Sequence, residues 1–409
     1  MNIALRLAWR NIWRQPRRTW LTISAMVFSN IILIFMLSLQ FGMYAMMIDN
    51  TLALFTGHLQ VQAPGYKDDK KMRQSIPDAV VLGSGLRQNL ESSAVAVRAM
   101  AFALASSEER SFGIQVIGVQ PQHEVQVSSL PGLLSKGRYL TQAGTDEVVI
   151  GSVLARNLRV SVGDELTLIG TGRDGSFAAA VVNVTGILES GMTDLDRSIA
   201  QIPLAAFQDI FSMGTDAHEV VITTADLSMV EETKKAATGL LPAGSNLVVY
   251  DWDALQPGLK QAIQADLASA WFMYTVLIIL VAFSVLNTVL MSVLERTREF
   301  GIVMSLGLTA GRLGRLVMLE TTLMGGIGLL LGLLLGGGLV IWLGIHGFSY
   351  PGMEQMADRF NIPSHIYPQL ELIPVLIGPL LVFASSLLAS VYPAARLHWL
   401  QPVQAMRVA

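Results

Sequence analysis

The residue types that most often carry catalysis are scattered along this chain of 409 residues. None of its histidines has a partner at the spacing of a zinc-binding helix such as H-E-x-x-H. Asp194 and Asp196 do not follow the ligand pattern of a calcium loop, and no G-x-S-x-G sequence marks a hydrolase nucleophile. We therefore predict neither a catalytic residue nor a metal site, and we expect the chain not to be an enzyme.

A glycine-rich loop can bind phosphate, and GTGRDGS at 170–176 is the candidate in this chain. It lacks the Gly-Lys-Ser/Thr ending of a phosphate-binding loop. Strand-like runs flank it on both sides, so we predict a hairpin turn instead of a nucleotide site.

The composition indicates a membrane protein. The chain is 52% hydrophobic and only 14% charged, whereas soluble domains carry about 25% charged residues. Its net charge of −3 argues against a nucleic-acid partner. It contains no cysteine, which excludes disulfides, thiolate catalysis, iron–sulfur clusters and a lipid anchor on cysteine.

Four charge-free apolar stretches are each long enough to cross a bilayer core of about 30 Å. Arginines cluster before the first stretch, between the second and third, and after the fourth, which is typical of cytoplasmic segments. We therefore expect both termini in the cytoplasm. The predicted segments are a cytoplasmic amphipathic helix at 1–18, a span at 19–48, an outer domain at 49–266, a span at 267–294, a cytoplasmic loop at 295–320, a span at 321–345, an outer loop at 346–371, a span at 372–395 and a cytoplasmic tail at 396–409.

The outer segment contains alternating or β-branched runs that predict strands. These runs are 58–63, 112–119, 146–151, 164–170, 178–189, 218–224 and 246–252. Residues 151–160 and 227–241 predict helices. The predicted fold class is therefore a membrane α-helical protein with four spans in a one-plus-three layout and a large extracytoplasmic mixed α/β domain.

The third span is rich in glycine at helical spacing. Gly328, Gly332 and Gly336 recur on one helix face, and small residues let a second helix backbone approach closely. The pattern predicts a packing face. The sequence leaves open whether the neighbouring helix belongs to the same subunit or to a second one.

The N-terminal segment has an apolar stripe of Leu5, Ala8, Trp9 and Ile12, with arginines on another face. This pattern predicts a helix that lies along the inner leaflet with its arginines toward lipid phosphates. A partner-binding helix is the alternative.

The spans carry no charged residue between their borders, whereas ion-coupled transporters usually hold such groups inside the bilayer. A transporter of this kind therefore needs a separate subunit as its energy source. The segment VLERTREFGIVMSLGLTAGRLGRLVMLETTLMGG at 293–326 is the candidate binding site for that subunit. We predict a short helix, bracketed by Gly301 and Gly307, that enters a groove on an ATPase. The predicted coupling residues are Glu295, Arg296, Arg298, Glu299, Phe300, Gly301, Ile302, Met304, Leu306 and Gly307. The alternative is a solvated loop whose arginines only set the topology.

Three stretches resemble one known family. ERTREFGIVMSLGLTAGRLGRLVMLE, from residue 295, looks like the signature of FtsX/MacB-like ABC-transporter permeases. SSLLASVYPAARLHWLQPVQAMR, at 385–407, is similar to the end of their last span, and KGRYLTQAGTDEVVIGSVLARNLRVSVGDELTLIG, at 136–170, resembles their periplasmic core. A length near 400 without a fused ATPase, and TGHLQVQAPGY at 56–66, are similar to the lipoprotein-releasing (Lol-type) branch.

The resemblance implies a permease in the bacterial inner membrane whose outer domain is periplasmic. It implies a second permease copy or paralogue, membrane lipids as surroundings, and a cytoplasmic ABC ATPase that uses ATP and Mg²⁺, with no cofactor on this chain. In the Lol-type branch the cargo is a lipoprotein, which passes to a periplasmic carrier. The alternatives are MacB-like export of a drug, peptide or toxin through a tripartite system and FtsX-like activation of a cell-wall hydrolase. For substrate access at the outer leaflet we predict Phe41, Tyr44, Met273 and Val276.

Overall fold

The computed structural model describes residues 3–90, 93–141, 145–353 and 364–399. The chain divides into two compact units. One comprises Met1–Met46, Ala262–Tyr350 and His365–Ala409, and we call it the membrane unit. The other comprises Met47–Gln261 and Pro351–Ser364, and we call it the outer unit.

The described residues form the following elements in chain order. The helices are α1 (Ile3–Ile12), α2 (Pro16–Thr51), α3 (Ala79–Asn89), α4 (Pro121–Val127), α5 (Ser152–Leu158), α6 (Thr193–Ser198), α7 (Leu204–Ile210), α8 (Val230–Gly239), α9 (Trp252–Leu255), α10 (Pro257–Glu295), α11 (Thr297–Ser305), α12 (Ala310–His346) and α13 (Leu372–Arg396). The strands are β1 (Leu59–Gln62), β2 (Ser93–Ser106), β3 (Ser111–Val119), β4 (Leu134–Gly137), β5 (Glu147–Gly151), β6 (Glu165–Thr171), β7 (Phe177–Leu188), β8 (Ile199–Pro203), β9 (Glu219–Thr224) and β10 (Val248–Asp251).

Within the described residues, four helical segments are long and apolar enough to cross a membrane. They are Pro16–Thr56, Pro257–Glu295, Ala310–His346 and Val375–Trp399. Each overlaps one predicted span, so the four-span fold class is confirmed. The borders of the membrane segments themselves stay predictions.

The glycine face of α12 packs against α2 of the same chain, which answers the question left open by the sequence. A Cβ atom added at Gly332 would lie 2.5 Å from Asn30 Cβ, and one at Gly328 would lie 2.8 Å from Met26 Cβ. Asn30 Nδ2 also donates a hydrogen bond of 3.2 Å to the Gly328 carbonyl. The absence of side chains therefore lets the two backbones approach closely.

The outer unit is built on one ten-stranded sheet with the order β10-β1-β9-β2-β3-β8-β5-β7-β4. Strand β6 pairs with both β2 and β7, so the strands β2-β3-β8-β5-β7-β6 close into a six-stranded ring. The long strand β2 belongs to both parts: its first half pairs with β9, and its second half pairs with β6.

Each of the seven predicted runs overlaps a strand of the sheet, and both predicted helices form, as α5 and α8. GTGRDGS is the predicted hairpin turn, because β6 and β7 pair antiparallel with Thr171 opposite Phe177. The predictions missed β2, β4 and β8, and among the helices they missed α3, α4, α6, α7 and α9.

Candidate functional site

A short helix joins the second and third candidate spans. Helix α10 ends at Glu295, α11 runs from Thr297 to Ser305, and α12 begins at Ala310. Gly307 takes the left-handed conformation, with φ of 98°, in the turn after α11. We call residues 295–309 the joint.

The prediction that Gly301 begins this helix is wrong, because Gly301 lies inside α11 and is buried. One glycine in a helix interior costs only about 1 kcal/mol, which does not end a helix whose neighbouring residues favour it. Gly307 does follow the helix, as predicted.

The inner face of α11 is anchored by Phe300, which is only 3% exposed. It belongs to the same apolar cluster as Val293 of α10 and Val317 of α12. The Arg296 guanidinium lies over its ring, 5.0 Å from the centroid. These contacts fix α11 to the ends of the two adjoining spans.

The other face of α11 is free in this chain. Ile302 is 47% exposed and Leu306 is 82% exposed. Arg298 is exposed, whereas Met304 is half-buried and packs against the internal cluster that contains Phe300. Two apolar side chains beside a cation form the kind of helix face that lies in a partner's groove.

The predicted charges at the base of the joint make contacts inside the protein. Arg14 Nη1 and Nη2 donate to the two carboxylate oxygens of Glu299, at 3.1 Å each. Arg18 Nη1 and Gln15 Nε2 both donate to Glu295 Oε2, at 3.1 and 3.3 Å. The hydrogen bond from Arg14 lowers the pKa of Glu299 below its usual value.

A third carboxylate, Glu320 of α12, completes this arrangement. It accepts a hydrogen bond of 2.7 Å from Asn11 Nδ2 and one of 3.2 Å from Arg296 Nη1. We call these ion pairs and hydrogen bonds the clasp, because they tie α1 and the start of α2 to α10, α11 and α12. The sequence interpretation did not assign Glu320 a role, and its signal was a lone acid at a predicted membrane border.

Two residues of the apolar stripe of α1, Ala8 and Ile12, pack inside the membrane unit, while its position along the inner leaflet stays a prediction. Ala8 is 0% and Ile12 is 4% exposed, and α1 packs against α12. Leu7 and Trp9 are instead the exposed apolar side chains of this helix. Because Ala8 is small, α1 can lie close to α12.

The predicted access residues fall into two groups. Tyr44 is 9% exposed, and its hydroxyl donates a hydrogen bond of 2.6 Å to Asp266 Oδ2, which ties α2 to α10. Phe41 lies edge-on to Tyr44, with ring centroids 6.1 Å apart. Met273 and Val276 of α10 are 67% and 41% exposed.

Within the described ranges, no group of three or more His, Asp or Glu side chains is placed to hold a metal ion. Asp196 accepts hydrogen bonds from the backbone N–H and hydroxyl of Ser190, so it stabilises a local turn. His218 stacks on Tyr66 with ring centroids 5.0 Å apart in the outer unit. These side chains have structural partners.

Four spans, a joint with an exposed amphipathic helix and a large outer α/β unit define an ABC-transporter permease of the type predicted from the sequence motifs. The MacB-like periplasmic core domain matches residues 19–240, and the FtsX-like permease C-terminal domain matches residues 271–402. The chain therefore belongs to the FtsX/MacB-like family of ABC-transporter permeases. It is an inner-membrane protein with a periplasmic domain, and membership implies an ATPase partner that uses ATP and Mg²⁺ and a dimeric arrangement.

Three curated relatives are similar over most of the chain. The lipoprotein-releasing system transmembrane protein LolE of Haemophilus influenzae is 27% identical over 78% of this chain and 79% of its own length. The corresponding LolC of Xylella fastidiosa is 24% identical over 73% of this chain and 74% of its own. The macrolide export ATP-binding/permease protein MacB of Nitrobacter winogradskyi is 25% identical over 81% of this chain and 52% of its own.

Among solved structures, the periplasmic region of MacB from Actinobacillus actinomycetemcomitans is similar to this chain with a TM-score of 0.38 and 17% identity. The alignment covers 51% of this chain and 94% of that one.

Proposed function

We propose that this chain is the permease subunit of an ABC transporter that releases lipoproteins from the inner membrane. A separate cytoplasmic ATPase binds the joint, and its nucleotide cycle moves the periplasmic unit. Both termini and the joint face the cytoplasm in this proposal, and a second copy or a paralogue completes the dimer. The chain itself holds no nucleotide and catalyses no reaction.

The observation that carries the proposal is the division of α11 into two faces. Phe300 is buried against both adjoining spans, while Ile302 and Leu306 stand exposed on the joint. A force on the exposed face would reach α10 and α12 directly, because the anchored face leaves α11 little freedom to move alone. An amphipathic helix that binds in a partner's groove uses apolar side chains at this spacing as its anchors.

Through the clasp, a force that the ATPase applies to α11 would also reach α2. Arg14 and Arg18 connect Glu299 and Glu295 to the segment just before the first span and to its first turn. A motion of the joint would therefore displace α2 together with α10. In this proposal, Glu295, Arg296 and Glu299 orient the coupling surface from within, and Arg298, Ile302 and Leu306 contact the ATPase.

Lipoprotein cargo is the finer part of the proposal. It is supported by the identity of 24–27% to LolC and LolE chains over about three quarters of their lengths. The release step would draw a lipidated protein past the outer ends of α2 and α10 and hand it to a periplasmic carrier.

The outer unit offers the carrier an apolar surface. Phe102, Leu104, Phe177 and Val181 share the outward face of β2, β6 and β7, and they are 70%, 41%, 77% and 56% exposed. Contiguous exposed apolar side chains on a soluble domain mark interaction sites. We propose that the carrier binds on this face.

The test is affinity purification of the full-length chain with its ATPase. The variant Ile302→Ser/Leu306→Ser is expected to lose the ATPase by more than about tenfold, since hot-spot side chains contribute about 2 kcal/mol or more each. Val162→Ser removes a side chain that is 41% exposed in the outer unit and serves as the control. Full retention of the ATPase by the double variant, at unchanged membrane yield, would refute docking on α11.

The same preparation discriminates the cargo. Capture of an acylated protein and a small periplasmic carrier supports lipoprotein release. Capture of a membrane-fusion adaptor supports the export alternative suggested by the MacB relative, and capture of a murein hydrolase supports the FtsX-like alternative.

A further inference from the structure

The first long helical segment ends inside the outer unit. Helix α2 runs to Thr51 and continues as one wider turn, Leu52–Thr56, which the Gly57 N–H closes with a hydrogen bond of 2.8 Å to the Leu52 carbonyl. We call residues 52–56 the stalk end. The last carbonyl groups of a helix have no partner within the helix, so other parts of the protein must supply their hydrogen bonds.

The four remaining carbonyls of the stalk end all accept hydrogen bonds from the outer unit. The donors come from the segment after α4, from β2 and from β1. They are the Ser129 N–H to Ala53 at 2.7 Å, the Ser128 hydroxyl to Leu54 at 2.7 Å, Arg98 Nη1 to Phe55, and Gln60 Nε2 to Thr56 at 2.7 Å. Three separate elements of the outer unit therefore hold one helical turn.

Arg98 contacts the stalk end most extensively. Its Nε and Nη2 donate to the two carboxylate oxygens of Glu124 at 3.0 and 2.7 Å, while its Nη1 donates to the Phe55 carbonyl. The guanidinium carbon also lies 4.2 Å from the centroid of the Phe55 ring, within the range of a cation–π contact. Arg98 therefore binds both the backbone and the ring of Phe55.

Arg98 lies where β2 passes from one part of the sheet to the other. It is the last residue of β2 that pairs with β9, opposite Glu219, and the first that pairs with β3, opposite Val119. Further along, β2 pairs with β6. A displacement of Arg98 would therefore reach both the six-stranded ring and the strands outside it.

Stability alone does not account for the ion pair between Arg98 and Glu124. Both side chains are 0% exposed, and the cost of taking two charges out of water offsets much of their attraction. Apolar residues of similar volume often stabilise a fold equally well. The pair adds direction, because the planar guanidinium must keep one orientation to satisfy Glu124 and the Phe55 carbonyl together.

The stalk end also contacts the start of α10. Gln256, the residue before Pro257, donates a hydrogen bond of 3.0 Å from Nε2 to Thr56 Oγ1. The start of α10 is thereby tied to the same turn that Arg98 holds. Both long helices are connected through residues 52–56 within the outer unit.

We propose that Arg98 is a positioning residue for transport, which holds the stalk end in one orientation against β2. A movement of α2 then turns the outer unit instead of bending the chain at residues 52–56. Glu124 fixes the guanidinium in the required orientation. The inference rests on the proposed function for the source of the movement, whereas the fixed orientation of the stalk end does not depend on it.

The orientation of the stalk end can be measured by pulsed electron paramagnetic resonance on the full-length protein in detergent. The chain has no cysteine of its own. Met47→Cys and Val81→Cys therefore place one spin label on α2 and one on α3, which packs against β2. Both positions are exposed. The width of the distance distribution between the labels reports how firmly α2 is held.

The test variant is Arg98→Met/Glu124→Leu, which removes both buried charges together and leaves neither one unpaired. It loses the donor to the Phe55 carbonyl, so we expect the narrow label distance of the parent protein to be lost. Arg138→Met/Glu147→Leu is the matched control and should keep the narrow distance. It removes another Arg–Glu ion pair of the outer unit, at 2.5 Å, which joins the residue after β4 to β5.

Transport by the same variants gives a second readout. In vesicles with the ATPase bound, we expect Arg98→Met/Glu124→Leu to hydrolyse ATP at the parent rate. Cargo released per ATP should fall at least about fivefold, an ordinary size for coupling between two sites. A merely structural role would instead lower the thermal unfolding midpoint of the outer unit, which is measured alongside. Arg98→Lys keeps the charge but not the planar fork, should be intermediate, and carries the test if the double variant does not fold.

These two readouts separate the inference from the proposed function. A label distance as narrow in both Arg98 variants as in the control would overturn the inference, and so would a widened distance with no change in cargo released per ATP. If the parent chain releases no lipoprotein, the proposed cargo fails. Widening of the label distance by Arg98→Met/Glu124→Leu would still support the fixed stalk end.

Discussion

Arg14 and Glu299 form a bidentate ion pair, with both guanidinium–carboxylate distances at 3.1 Å, although the two residues are 285 positions apart in the sequence. Their side chains are 60% and 48% exposed, and exposed pairs contribute at most about 1 kcal/mol to stability. The pair therefore matters as a link between α1 and α11 more than as a source of stability.

Exchanging the charges of this ion pair tests whether it contributes to the coupling of ATP hydrolysis to cargo release, apart from its small contribution to stability. Arg14→Glu places two carboxylates together, so we expect ATP-driven cargo release to fall several-fold while ATPase binding persists. The swapped variant Arg14→Glu/Glu299→Arg restores opposite charges and should recover most of the activity. The measurement is cargo release per ATP hydrolysed in vesicles. Equal activity of the single and swapped variants would contradict a role for this link.

Gly332 is the tightest point between α2 and α12. Gly332→Ala places a Cβ 2.5 Å from Asn30 Cβ, and overpacking of this kind costs about 1–3 kcal/mol. We expect a lower midpoint of thermal unfolding in detergent and a lower membrane yield. Gly337→Ala is the matched control, because nothing lies within 4 Å of its added Cβ. A Gly332→Ala protein as stable as the Gly337→Ala protein would show that the helices pack differently.

His218 should make the outer unit sensitive to acid. Burial lowers its pKa to about 4, and the neutral ring accepts from Met100 N–H at 2.9 Å while Nε2 faces the Met72 carbonyl at 3.2 Å. The unfolded chain takes up this proton near pH 6.5, before the folded chain does, so stability is complete above pH 6.5 and falls toward pH 4. The shift from 6.5 to about 4 corresponds to roughly 3.5 kcal/mol, at about 1.4 kcal/mol per pKa unit.

This effect can be measured by unfolding the full-length protein in urea at a series of pH values. At each pH, a short pulse of protease cleaves the unfolded outer unit and so reports its free energy of unfolding. His218→Gln keeps a donor and an acceptor but cannot titrate, so its stability should change less between pH 7 and pH 4. The remaining change belongs in part to His58, whose pKa burial also lowers. If the His218→Gln protein loses as much stability between pH 7 and pH 4 as the parent protein, a group other than His218 causes the loss.

The strands that the sequence predicts are those with β-branched residues in short periodic runs, such as Val220 and Ile222 of β9. Strand β2 is not predicted by this pattern, because its sequence SAVAVRAMAFALAS is rich in alanine, which has a low β propensity. Its position between β9, β3 and β6 decides its conformation. Strand β3 follows β2 directly in a hairpin, but β6 and β9 lie far away in sequence, and no local pattern could reveal those two pairings.

In the joint, too, some features can be predicted from neighbouring residues, whereas others depend on contacts between residues far apart in the sequence. Its helix and the exposure of Ile302 and Leu306 agree with the prediction from 295–309, whereas Phe300 and Met304, also predicted as coupling residues, pack against the internal cluster. The inward position of Gly301 depends on the packing of α11 as a whole. The contact of Glu320 with Asn11 spans 309 positions, and only the fold brings those two side chains together.

The outer ends of α2 and α10 allow a direct test of lipoprotein access. Met273 is 67% exposed, whereas the Tyr44 hydroxyl is held by Asp266 at 2.6 Å. A photo-crosslinking residue at Met273 or Val276 should therefore capture acylated protein in intact membranes, while one at Tyr44 should capture less and weaken the α2–α10 contact. Val285 is 1% exposed on the same helix and is the control that should capture nothing. Mass spectrometry of the adducts identifies the cargo, and capture of no acylated protein at Met273 and Val276, with ATPase bound and ATP present, would argue against lipoprotein release through this face.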